Sequence, residues 1–100
     1  MPETSAEHFF NLVYKGKPNP LTPNRVSLSW VNNFAVEVSW GWSMGRPRRK
    51  LYAVTVVEAK GDQAVRRPDL SEGGLEGEVE VNRKLKALRA LPVEPEQPVQ

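Results

Sequence analysis

The chain has no cysteine. This excludes disulfide staples, zinc–thiolate and iron–sulfur sites, and thiol catalysis. It has one histidine, His8, with no second base suggested for it in the sequence. A general base needs an oriented partner, and no nucleophile elbow, Walker loop or dinucleotide fingerprint occurs. No apolar run approaches the roughly 20 residues of a membrane span. The opening residues Met-Pro-Glu-Thr-Ser have neither a basic nor an apolar leader character, so no secretory signal is expected. Acids gather at Glu72, Glu76, Glu78 and Glu80, but their spacing lacks the Asp-rich pattern of a calcium loop. The reading is therefore of a non-enzymatic, cytoplasmic protein with no metal site, cofactor or catalytic residue.

What is present suits one small domain. A chain of 100 residues with 39% hydrophobic and 26% charged residues is long enough to bury a core without a staple. The net charge is only +2, but it is blocked along the sequence. Residues 25–60 carry six basic and two acidic groups, residues 61–82 two basic and six acidic, and residues 83–91 four basic and none acidic. Such a distribution gives a bipolar surface or blocks that face one another.

The pattern predicts an α+β domain over 1–91. Its centre is a three-stranded antiparallel meander at about 25–31, 34–42 and 51–59. Val26, Leu28 and Trp30 alternate with polar residues, as do Phe34, Val36, Val38, Trp40 and Trp42. One apolar and one polar face predict a core on one side of the sheet. Keeping every apolar residue on that side favours a three-residue loop, Val31-Asn32-Asn33, with Trp30 opposite Phe34 and Asn33 left-handed. A C-terminal helix is expected at about 82–91, capped by Asn82 or starting earlier with Glu78 and Glu80 in its first turn. A short N-terminal helix is expected at about 5–15, with Thr4 and Glu7 at capping-box spacing and Gly16 after its end. Residues 61–77 read as a mobile loop and 92–100 as a disordered Pro/Glu tail.

Two features carry binding chemistry. The first is the turn after the second strand, Arg46, Arg48, Arg49 and Lys50, flanked by Trp42 and Tyr52. Tryptophan and arginine dominate interface hot spots, so these six residues are the candidate site for a protein partner. The second is the basic face of the C-terminal helix, Arg83, Lys84, Lys86 and Arg89. Arginine forks match phosphates and aromatics stack on bases, so turn and helix together would suit nucleic acid if they share one surface. The favoured function is a small adaptor, inhibitor or accessory subunit that engages a protein; a nucleic-acid-binding module is the alternative.

The order helix, three antiparallel strands, helix is similar to that of the double-stranded RNA-binding domain. That family has Gly-Pro-x-His between its first two strands, where this chain has Val31-Asn32-Asn33. It opens its last helix with Lys-Lys-x-x-Lys, where this chain has Arg83-Lys84-Leu85-Lys86. Topology alone does not carry function.

Overall fold

The computed structural model describes residues 5–17 and 19–92. It is the expected small α+β domain. The elements are α1 (Ala6–Tyr14), β1 (Asn24–Val31), β2 (Phe34–Trp42), β3 (Lys50–Lys60), β4 (Gln63–Arg66), β5 (Glu72–Leu75) and α2 (Glu78–Ala90). The sheet is antiparallel in the order β1-β2-β3-β4, with β5 beside the other half of β3. No described helix is long and apolar enough to cross a membrane. The expected capping role of Thr4 lies outside the described residues, as does the tail from residue 93 onward.

The two helices cover opposite faces of the sheet. On one face, Ala6, Phe9 and Phe10 of α1 bury Ala35 and Val57. On the other, Val81 and Leu88 of α2 pack with Val36, Val38, Val54, Val56 and Leu75. This corrects the expectation of a core on one side only. The polar residues on the α1 face are not solvated: Glu37 and Ser39 are 2% and 1% exposed. Each is buried with a partner, as a buried polar group must be. Arg25 Nε donates to Glu37 Oε2 at 2.7 Å, and the Thr22 and Ser39 hydroxyls lie 3.0 Å apart.

The β1–β2 register also differs from the expected one. Val31 pairs with Phe34, Trp30 with Ala35 and Leu28 with Glu37, across a two-residue Asn32-Asn33 turn. Asn32, not Asn33, takes the left-handed conformation, with φ 53°. Because both faces are covered, the apolar residues of β1 need not share a side with those of β2. Leu28 and Trp30 point to α1, where Trp30 meets Phe9 edge-on at 5.5 Å, while Phe34, Val36 and Val38 point to α2. A bulge between Arg25 and Ser27 ends the regular pairing.

α1 forms where expected, but its described cap is Ser5, whose hydroxyl accepts the His8 N–H at 3.1 Å. Lys15 and Gly16 close it, both with positive φ. α2 takes the earlier of the two starts, with Gly77 at the cap and Glu78 and Glu80 in the first turn. Asn82 therefore lies inside the helix. Val81, Leu85 and Leu88 then line the buried stripe at helical spacing.

Residues 61–77 contribute two strands to the sheet. Gly61, with φ 61°, turns β3 into β4 through the pair Lys60 and Gln63. Arg67 then holds the chain: its guanidinium reaches Glu58 at 2.6 Å and Asp69 at 2.8 Å, and its carbonyl accepts from the Ser71 hydroxyl. Ser71 Oγ in turn accepts the Val56 N–H at 2.9 Å, which brings β5 back alongside β3. Two strands pairing one long strand in succession leave no sequence signature beyond Gly61-Asp62.

Candidate functional site at the aromatic end of the sheet

Beyond the N-terminus of α2, the sheet continues without helical cover on that face. Trp40 pairs with Tyr52, and Trp42 with Lys50. The indoles of Trp40 and Trp42 meet edge-to-face at 5.4 Å and 88°. Cations lie over these rings. Lys50 Nζ is 4.4 Å from the Trp40 centroid and 5.3 Å from that of Tyr52, and the Arg48 guanidinium lies 5.3 Å from Trp42. A cation within about 6 Å of such a face is attracted by the ring quadrupole. The turn is closed by Ser43, whose N–H donates to the Arg49 carbonyl at 2.7 Å and whose hydroxyl accepts the Arg49 N–H at 2.8 Å.

The patch is exposed where apolar side chains usually are not. Trp42 is 50% exposed, Met44 98% and Leu21 78%. A cleft of about 410 Å³ runs beside them, lined by Pro20, Leu21, Trp42, Met44, Leu51 and Ala53. Sequence reading singled out Trp42 but not Leu21 or Met44. A signal for Leu21 was present: a bulky apolar residue inside an otherwise polar, proline-rich loop. Its placement depends on Gly41, which lets that loop lie against the sheet. A larger cleft, of about 490 Å³, lies between α1 and the sheet, with Glu37 among its lining residues. That carboxylate is already engaged by Arg25.

The structure brings Trp42, Arg48, Lys50 and Tyr52 together and treats the other candidates differently. Arg46 has no charged or aromatic partner among the described residues. Arg49 is committed to Glu76 at 2.7 Å. On α2, Arg83 pairs with Glu80 at 3.1 Å and Lys84 with Glu72 at 3.7 Å. Lys86 and Arg89 have no acidic partner among the described residues. Between the basic turn and the start of the basic helix lie acidic side chains. Glu76 pairs with Arg49 and Glu80 with Arg83, and α2 then runs toward the Asn32 turn. Arg89 therefore sits near the opposite end of β2, roughly 26 Å along its length at the usual strand rise. His8 lies on the exposed side of α1 and touches Phe9.

Comparison of the chain with models of protein families, with curated proteins and with solved structures finds no match.

Proposed function

We propose that this domain is a binding module that takes a protein partner at the aromatic end of its sheet. The observation that carries this reading is the half-exposed Trp42 beneath the Arg48 guanidinium, which lines one cleft with exposed Met44 and Leu21. Tryptophan, arginine and methionine are enriched at interface cores, and scattered apolar exposure does not ordinarily combine all three. Lys50 and Arg48 suit a partner that adds carboxylates around an apolar anchor. The adjoining cleft offers room for one bulky apolar side chain of that partner.

Nucleic acid is less well supported, because Arg49, Arg83 and Lys84 already have acidic partners. The two classes differ in salt response. Backbone-phosphate binding loses about 0.7–0.9 log unit of affinity per log unit of salt for each phosphate neutralised. The test compares capture by the parent, by Trp42→Ala and by Arg48→Glu from nuclease-treated host extract. The expected result is a protein retained by the parent at moderate salt and lost with either substitution. Retention of the same proteins by all three forms, or of nucleic acid alone before nuclease treatment, would remove this reading.

A further inference from the structure

The cleft between α1 and the sheet, at about 490 Å³, falls within the range of about 300–1,000 Å³ usual for small-molecule sites. Its floor is the sheet. Glu37 of β2 and Thr55 of β3 face each other in the register, and both line the cleft. The Glu37 side chain is only 3% exposed. Its Oε2 accepts from Arg25 Nε, and Arg25 is not among the lining residues. Its Oε1 accepts no hydrogen bond among the described residues, and the Thr55 hydroxyl makes none. Oε1 is not sealed in, because the one fully buried side-chain polar atom without a partner among the described residues is Asn11 Oδ1. A polar group this deep ordinarily has a partner for each of its atoms. The walls are apolar, made by Val13 and Tyr14 of α1 and by Pro20, with Phe10 stacked on Tyr14 at 4.7 Å. Three cations also line the cleft: Lys15, Lys17 and Arg66. All three are exposed, and none has an acidic partner among the described residues. Arg66 is placed by the Tyr14 ring, whose centroid lies 5.0 Å from the guanidinium.

We propose that this cleft binds a small organic carboxylate with an apolar body and a hydroxyl at the end remote from the charge. The carboxylate takes the side of Lys15, Lys17 and Arg66, where three cations set a positive potential. The body packs on Val13, Tyr14 and Pro20. The hydroxyl donates to Glu37 Oε1 and accepts from the Thr55 hydroxyl, so both of its hydrogen-bonding functions are met. A neutral donor suits Glu37, because Arg25 already neutralises the carboxylate. An inorganic anion would use the cations alone and leave the walls and Glu37 unused. A metal ion would find a single carboxylate, and no cluster of metal-ligating side chains occurs among the described residues. The site is distinct from the partner surface proposed above. It shares Asn19 and Pro20 with the cleft beside Trp42, but Trp42 does not line it.

The probe is para-hydroxyphenylacetate, whose rigid ring loses little freedom on binding. Titrated into the full chain, it is expected to shift the NMR amide signals of Tyr14, Thr55 and Arg66 with a Kd of about a millimolar or tighter. Phenylacetate lacks the hydroxyl and tyrosol lacks the charge. Each is expected to bind at least about tenfold more weakly, and this comparison needs no variant. Lys17 and Arg66 are exposed and belong to neither core. The K17E/R66E variant, which reverses two of the three cations, weakens binding of para-hydroxyphenylacetate at least about tenfold. T55V shrinks the preference for that compound over phenylacetate. A parent whose signals stay fixed with the probe well into the millimolar range overturns the proposal. So does phenylacetate or tyrosol binding as tightly as the probe, a K17E/R66E variant that binds as the parent does, or a T55V variant that keeps the full preference.

Discussion

At Gly41 a missing side chain decides how the loop before β1 meets the sheet. A Cβ at this position would run into the Leu21 carbonyl oxygen and stand 3.0 Å from Thr22 Cα. The obstacle is backbone, so it cannot be relieved by turning a side chain. The close approach buries Thr22 and brings its hydroxyl to Ser39. Gly41→Ala is therefore expected to destabilise the fold by about 1–3 kcal/mol, as overpacking does. Gly45 has open space where a Cβ would go, and Gly45→Ala should stay within about 0.5 kcal/mol of the parent. Urea unfolding of the two variants side by side checks this; equal midpoints would refute it. Little of this was legible in the sequence. Glu37 alternates with valines and reads as a solvent-facing residue, and nothing local reveals that Arg25, twelve residues earlier, seals it in. Trp42 and Arg48 were legible as candidates because they are near in sequence. Leu21 stood out only as an apolar residue in a polar loop; its place beside them was not legible, because it arrives through a contact twenty residues long in the chain.

Among the elements, the positions of the strands were readable from alternation and their register was not. Alternation reports that one side of a strand is apolar; it does not say which layer of the fold covers that side. With α1 on one face and α2 on the other, the assumption of a single apolar face selects the wrong loop length. The turn that does form has a tertiary role that local rules do not contain. Asn32 Nδ2 lies within hydrogen-bonding distance of the carbonyls of Leu88, Arg89 and Leu91, at 3.3, 3.1 and 3.4 Å. These belong to the last turn and the cap of α2, whose carbonyls have no amide four residues on within the helix, although that of Leu88 also accepts the Leu91 N–H. One side chain thus ties the hairpin to the helix end. Asn32→Gly keeps the positive φ but removes the donor, and is expected to cost about 1 kcal/mol. Asn32→Ala loses both the donor and the ease of a left-handed backbone, and should cost about 1–2 kcal/mol more. Thermal or urea unfolding that ranks alanine equal to glycine would show that the turn conformation contributes nothing.

Taken whole, the molecule is a sheet between two helices, with β4 and β5 fastened to it by one arginine. Arg67 bridges Glu58 on β3 and Asp69 in the connection between β4 and β5. Its hydrogen bonds to Asp69 first, and to Glu58 second, hold the guanidinium proton more tightly than usual, so Arg67 stays charged across any working pH. The hydrogen bond from Arg67 likewise holds the Asp69 carboxyl below its ordinary value of 3.8. The sign of the pH effect follows. Above 3.8, Asp69 is ionised both folded and unfolded, and its contribution to stability is fully present. Below that value the unfolded chain takes up the proton first, so stability falls with pH until the folded carboxyl is protonated as well. Asp69→Asn should therefore flatten the stability profile below about pH 4 and leave its slope near neutrality unchanged. The effect is small because Asp69 is exposed, and added salt should shrink it further. Melting temperatures of parent and variant, taken from neutral pH into acid at low and high salt, measure it. Parallel profiles in acid would mean that the Arg67 bridge orders the connection without favouring the charged carboxyl.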